Sequence, residues 1–215
     1  MVNLYIPGCS LYTHNENIIN DNKNYSYELN GNSTGRMVSV KEALIEEKWD
    51  VVTMQQVSHD SGVEETYFPY ITFLSEYVNE YAPNAKQYVH KTWAYEKDSN
   101  HEGFAKYDRD QKNMYNALTK AYKKVSVVLG KDIIPVGDII QILRRKPEFD
   151  YPNGGITLCR DGFHLSLDYG RYAASATWYR YIFKRNISDN KFIPEGADIK
   201  LINIIKETVD YYREV

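Results

Sequence analysis

The chain has 215 residues, of which 43% are hydrophobic and 26% are charged, as is typical of a globular domain rather than a disordered segment. Its net charge of -3 provides no basic surface, which disfavours nucleic-acid binding. No apolar run approaches the roughly 18 residues that span a bilayer and no signal peptide is recognisable, so we expect no membrane segment and leave the compartment open.

Strand-like and helix-like segments alternate along the chain, which predicts one domain over residues 1–215 with a parallel sheet and helices on both faces. The predicted strands are Asn3–Ile6, Asp50–Met54, Lys86–His90 and Asp132–Val136. The predicted helices are Ser39–Trp49, Glu65–Tyr81, Asp108–Leu129, Gly137–Arg144, Tyr169–Phe183 and Asp198–Arg213. Residues 12–36 are rich in Asn, Tyr and Gly without a period, and we expect them to form a long irregular excursion.

Polar residues follow the first three predicted strands. They are Gly8, Cys9 and Ser10 after the first strand, Gln55, Gln56, Ser58 and His59 after the second, and His90 to Trp93 at the end of the third. Ligands of open α/β sheets bind beyond the carboxyl ends of the strands. These independent segments therefore predict one functional rim.

The segment Asp161-Gly162-Phe163-His164 places a carboxylate three residues before a histidine. In a short turn the Asp161 carboxylate can accept the Nδ1 proton of His164, which fixes the ring's tautomer and leaves Nε2 available as a general base. The alternative is a surface turn in which His164 has no chemical role.

Other residues admit a functional and an ordinary interpretation. His59 and His90 could hold substrate, although ordinary hydrogen-bonded histidines are commoner, and His14 and His101 are expected to be bystanders. Cys9 could be a nucleophile or a packing residue. Trp93 and Tyr95 could line a sugar-binding cleft or pack over the sheet. The histidines have no spacing typical of a zinc site, so no metal is predicted.

Taken together, these segments resemble the SGNH (GDSL-like) serine hydrolases, and most closely a bacterial branch described as a domain of unknown function. The matching segments are Leu4 to Leu11, Trp49-Asp50 with Gln55 to His59, His90 to Tyr95, and Asp161 to Ser166 with Gly170 to Tyr172. They follow the family's order along nearly the whole chain. The resemblance implies a flavodoxin-like, three-layer α/β/α sandwich with a mostly parallel sheet.

The resemblance also implies roles for individual residues. Gly8 matches the glycine whose backbone N–H binds the oxyanion, and Gln55 or Gln56 stands where the family has an asparagine. Of the two we prefer Gln56, which is nearer the end of its strand. Asp161 and His164 match the catalytic pair. The family's first block, a strand with a Gly-x-Ser nucleophile, has no counterpart, so we expect the domain to be N-terminally incomplete, without its first strand and helix. The rival is Ser10 as the nucleophile, within Gly8-Cys9-Ser10.

The function that the resemblance implies is hydrolysis of acyl esters, such as acetyl groups on small molecules or carbohydrates, without a metal or an organic cofactor. We expect the chain as it stands to have little activity, because the nucleophile block is not recognisable. The alternatives are a non-catalytic remnant or carbohydrate-binding module, and an active esterase that uses Ser10.

Overall fold

A computed structural model describes residues 1–213, which form a mixed α/β protein with two small sheets of three strands each. The strands are β1 (Val2–Tyr5), β2 (Tyr25–Leu29), β3 (Asn32–Val38), β4 (Val51–Met54), β5 (Lys86–His90) and β6 (Asp132–Ile134). The helices are α1 (Leu11–Ile19), α2 (Val40–Glu46), α3 (Tyr70–Tyr81), α4 (Gln111–Leu129), α5 (Val136–Leu143), α6 (Tyr169–Phe183) and α7 (Ile199–Tyr211). Two compact units share the chain: residues 1–89 with 121–132, and residues 90–120 with the described residues from 133 onward.

The first unit contains an antiparallel sheet in the order β1-β2-β3. The prediction of an irregular excursion over residues 12–36 is wrong, because this stretch holds most of α1, all of β2 and most of β3. Asn30 and Gly31, with φ angles of 51° and 85°, join β2 to β3. Positive φ at both central residues is what a type I′ hairpin turn requires.

The second sheet has the order β4-β5-β6, and β4 runs parallel to β5 with Val51 opposite Lys86 and Met54 opposite Val89. The prediction that the first strand joins this parallel sheet is wrong, since β1 pairs with β2 in the other sheet. The hydrophobic pattern predicts that β1 is a strand, but it does not identify the partner strand.

Several helix boundaries follow from local chemistry. Ser39 caps α2 through the predicted box with Glu42, each side chain bonding the other residue's backbone N–H. The helix predicted from Asp108 begins only at α4, because Asp108 and Arg109 have left-handed φ angles of 57° and 52°. The helix predicted from Glu65 begins only at α3, since Pro69 disfavours helical geometry in the residue before it.

In the second unit, α5, α6 and α7 pack against one another. The helix predicted over Tyr169–Phe183 is confirmed as α6. The packed faces supply fully buried Ile139, Ile140, Ile202 and Ile205. Buried Lys91, which follows β5, donates to Asp138 at 2.5 Å and so ties the end of that strand to α5. This core supports the loop that carries Asp161 and His164.

Candidate functional site

Asp161 and His164 form a hydrogen-bonded pair within one turn. The carboxylate oxygen Oδ2 lies 2.7 Å from Nδ1 of His164. The other oxygen, Oδ1, accepts the backbone N–H groups of Phe163 at 3.2 Å and His164 at 2.7 Å. Gly162, at φ 85°, supplies the left-handed residue on which the turn depends. The hydrogen bond predicted from the Asp-x-x-His spacing is therefore present.

The turn closes a short hairpin. Cys159 and Leu165 form an antiparallel bridge, and the backbone N–H of Arg160 donates to the His164 carbonyl at 2.8 Å. Ser166, which follows Leu165, donates its backbone N–H to the carbonyl of Leu158 at 2.9 Å. His164 is thus held through its backbone as well as through its ring.

The charge on Asp161 favours a defined tautomer of His164. Partial burial acts to raise the pKa of Asp161, but the hydrogen bonds from the His164 ring and from two backbone N–H groups outweigh it, so the net shift of that pKa is downward. An ionised carboxylate only accepts, so Nδ1 of His164 carries the hydrogen. Nε2 makes no hydrogen bond within residues 1–213, and 56% of the His164 side chain is exposed. The ring therefore offers Nε2 as a base to solvent or to a ligand.

Aromatic side chains pack around Phe163, the residue before His164. The ring of Phe163 lies edge-on to His101, with centroids 4.8 Å apart, and 5.7 Å from the fully buried Tyr95. His101 is more than the expected bystander, because its Nδ1 also accepts the N–H of Gly103. Buried Tyr95 presents no face to a sugar, so the idea that it lines a cleft is wrong.

Ser10 and Gly8 lie in the first unit, at the turn between β1 and α1. Gly8 has φ 63°, a conformation that disfavours any residue with a Cβ. Ser10 is the N-cap of α1: its Oγ accepts the N–H of Thr13 at 3.1 Å and lies 2.9 Å from the Thr13 hydroxyl. A capping role therefore accounts for Ser10 by itself.

The two glutamines after β4 differ completely in environment, as the alternation of side chains predicts. Gln56 is fully buried, and its amide nitrogen donates to the carbonyl and the hydroxyl of Thr66, both at 3.0 Å. Its oxygen accepts the N–H groups of Leu11 and Val57. Both amide hydrogens of Gln56 are therefore used internally, which disfavours Gln56 as the oxyanion donor. Gln55 is exposed.

The two rim histidines differ as well. His59 lies in a 3-10 turn, Ser58–Asp60, with Nε2 at 3.6 Å from Asp60 Oδ2. His90 is buried, and its Nδ1 accepts the indole N–H of Trp178 at 2.8 Å. Burial lowers the pKa of His90 to about 4, so the ring is neutral with its hydrogen on Nε2. His90 is therefore a donor rather than a base, and its Nε2 has no partner within the described residues.

Both cysteines are poor nucleophiles. Burial raises the pKa of Cys9 to about 11 and that of Cys159 to about 12, so each stays a thiol near neutral pH. Within residues 1–213, no three histidine, cysteine or acidic side chains converge as a metal centre would require. Among residues 1–213, every helix is too short or too polar to span a bilayer.

Comparisons with known proteins place the chain in a family. Residues 1–211 match the model of a domain of unknown function, DUF4886. A crystal structure of a DUF4886 family protein from Bacteroides uniformis ATCC 8492 is 35% identical, with a TM-score of 0.88, over 97% of this chain and 81% of that one. The chain belongs to the DUF4886 family.

A second solved structure, a candidate SGNH hydrolase from Slackia heliotrinireducens, matches this DUF4886 chain at 19% identity and a TM-score of 0.43. That match covers 78% of this chain and 70% of the other, and likeness at this level supports no inference about activity. No curated protein matches the sequence.

Two contacts with the turn of the pair were not predicted from the sequence of this DUF4886 chain. The indole N–H of Trp93 donates to the Phe163 carbonyl at 2.7 Å, and the backbone N–H of Glu96 donates to the Gly162 carbonyl at 2.7 Å. Both contacts end on backbone carbonyls. Because every residue has a carbonyl, the residue types of the turn do not indicate these contacts. The sequence shows only an acidic residue, Glu96, directly after Trp93-Ala94-Tyr95.

Proposed function

We propose that this chain is an SGNH-type hydrolase domain directed at acyl esters, with acetyl groups on small molecules or carbohydrates as the substrate class. The observation that carries the proposal is the 2.7 Å contact between Asp161 Oδ2 and His164 Nδ1, with Nε2 of the ring unoccupied within residues 1–213. The order of the matching sequence segments supports the same reading, and with it a three-layer arrangement of the SGNH kind.

In the proposed reaction, a serine oxygen attacks the ester carbonyl while Nε2 of His164 takes its proton. Asp161 keeps the ring in the productive tautomer and stabilises the imidazolium that forms. The proton then passes from His164 to the leaving alcohol, and water repeats the sequence on the acyl-enzyme. The resemblance implies a glutamine after β4 as an oxyanion donor, and Gln55 is the better candidate because the Gln56 amide is already committed to Thr66.

Ser10 is a poor candidate for the nucleophile in this chain. Its hydroxyl is engaged with Thr13 in capping α1, and the family's Gly-x-Ser block is not recognisable. We therefore propose that the chain as it stands turns over esters barely above buffer. The same observation favours a second candidate function, binding of ester-bearing ligands without hydrolysis.

The test is turnover of p-nitrophenyl acetate by the wild type and by its His164→Ala and Ser10→Ala variants. We expect slow turnover by the wild type that is lost in His164→Ala and kept in Ser10→Ala. Robust turnover that Ser10→Ala abolishes would make Ser10 the nucleophile. Turnover that His164→Ala leaves unchanged would refute the role of the pair.

A further inference from the structure

The turn between Asp161 and His164 is held on one side by two hydrogen bonds to its backbone. The consecutive carbonyl groups of its two inner residues, Gly162 and Phe163, both accept hydrogen bonds. Glu96 N–H donates to the first carbonyl and the Trp93 indole N–H donates to the second, each at 2.7 Å. We call residues 93–96 the clamp. Two short hydrogen bonds on adjacent peptide groups leave the plane of the turn little freedom to rotate.

The clamp is itself anchored in the core of the second unit. The carboxylate of Glu96, 2% exposed, accepts Arg144 Nε at 2.7 Å and Gln111 Nε2 at 3.3 Å. The same guanidinium donates to the Ala94 carbonyl at 2.8 Å. A buried ion pair with several hydrogen bonds is rigid, because moving either partner would strand a buried charge. The clamp thus connects the exposed pair to a fixed point inside the protein.

Close packing around the turn and around Trp93 adds to the effect of these hydrogen bonds. A Cβ on Gly162 would lie 3.0 Å from the Cα of Ser99, so the backbone of the turn sits directly on the residues that follow the clamp. The ring of Trp93 meets the ring of His90 edge-on, with centroids 6.4 Å apart. The tilt of the indole is therefore fixed by a neighbour that is itself buried and bonded to Trp178.

We propose that Trp93 is a positioning residue for His164: its indole N–H fixes the Phe163 peptide, and through it the direction of the imidazole. This inference rests on the proposed function for its catalytic meaning, but the positioning itself is a property of the free chain. Errors of about 1 Å in the placement of a reacting group cost on the order of 100-fold in rate. By fixing the Phe163 peptide, Trp93 would limit such errors in the position of the exposed His164 ring.

The experiment is side-chain ¹⁵N NMR of the histidines at about pH 8.5, where ordinary histidines are neutral, in the wild type, Trp93→Phe and Trp49→Phe. Trp49 is the matched control, a half-buried tryptophan whose indole N–H also donates to a backbone carbonyl, that of Ala43, at 2.9 Å. We expect His164 to be in the Nδ1–H form in the wild type and in Trp49→Phe. In Trp93→Phe we expect a mixture of both tautomers.

An unchanged Nδ1–H form in folded Trp93→Phe would overturn the positioning role while leaving the pair, and the proposed function, intact. A wild-type ring that lacks the Nδ1–H form would instead contradict the pair itself. Should Trp93→Phe fail to fold, hydrogen exchange of the wild-type Trp93 indole decides. A protected indole proton supports the clamp, and one that exchanges as fast as free indole overturns it.

Discussion

One carboxylate does two jobs in the turn at residues 161–164. Asp161 Oδ1 accepts two backbone N–H groups and so shapes the turn, while Oδ2 accepts the ring hydrogen of His164 and so selects its tautomer. Charge-assisted hydrogen bonds of this kind are about twice as strong as neutral ones. The local fold and the chemistry of the pair therefore depend on the same ionised group.

Replacing Ser10 by alanine should affect stability and leave chemistry untouched. The Oγ of Ser10 caps α1 through the N–H of Thr13, and loss of an N-cap costs about 1 kcal/mol. We expect urea denaturation of Ser10→Ala to show that loss, and Ser10→Thr, which keeps a capping oxygen, to recover most of it. No change in stability in Ser10→Ala would mean that the hydroxyl serves something other than the helix.

For individual residues, the sequence predicts the Asp161–His164 pair but not the contacts that hold it in place. A carboxylate and a histidine three apart can meet within one turn, so the spacing allows the contact that the structure shows. The choice between Gln55 and Gln56 does not, because it depends on which side chain finds Thr66 inside the protein. The clamp escapes prediction for a similar reason, since it joins residues 70 positions apart, Trp93 and Phe163.

Among the elements, α6 carries the closest backbone approach to the hairpin of the pair. A Cβ on Gly170 would lie 2.2 Å from the carbonyl oxygen of Leu158, the residue that also accepts from Ser166. Glycine at this helical position lets α6 press directly on the base of the hairpin.

We therefore expect Gly170→Ala to destabilise the protein by about 1–3 kcal/mol, the usual cost of overpacking, despite the better helix propensity of alanine. Ser175→Ala, at an exposed position of the same helix, is the control and should change the free energy of unfolding by less than about 0.5 kcal/mol. Urea denaturation measures both. Equal stabilities would mean that the contact at Gly170 relaxes at no cost.

Elements with strong local signals are predicted well. The capping box of Ser39 and Glu42 marks the start of α2, and Gly130, at φ 62°, follows the last residue of α4. The hairpin of β2 and β3 also has its signal, the Asn30-Gly31 turn, but the flanking residues are too polar to show a clear alternation: six of the seven residues of β3 are exposed. An exposed edge strand has no core to impose a hydrophobic pattern.

For the whole molecule, the alternation of strands and helices predicts the mixed α/β class but overestimates the parallel sheet. β1 is predicted as the first strand of that sheet, yet it pairs antiparallel with β2 in the other sheet. Sequence periodicity reports whether a strand has a buried face, and strand partners are decided by contacts between distant residues.

Buried histidines should make the stability of the protein fall on acidification. Burial lowers the pKa of His90 from 6.5 to about 4, so between these values the unfolded chain binds a proton that the folded chain does not. The stability that neutral His90 provides is complete above pH 6.5 and is lost as the pH falls towards 4, up to about 3 kcal/mol.

The check is urea denaturation of the wild type and of His90→Asn between about pH 7 and pH 4.5. Asparagine keeps an acceptor for Trp178 and does not titrate, so the wild type should lose more stability than the variant over this range. Other groups, including His14, whose burial also lowers its pKa to about 4, contribute equally to both proteins. Identical slopes for the two proteins would contradict the buried, neutral state of His90.

The central claim is that Asp161 holds His164 as a base with Nε2 free, and the tautomer of the ring tests it most directly. Side-chain ¹⁵N NMR at about pH 8.5, where histidines of ordinary pKa are neutral, should find His164 of the wild type with its hydrogen on Nδ1. In Asp161→Asn, whose amide can donate to Nδ1 instead of accepting from it, the hydrogen should move to Nε2. A wild-type ring with its hydrogen on Nε2, or a tautomer that does not respond to Asp161→Asn, would contradict the account.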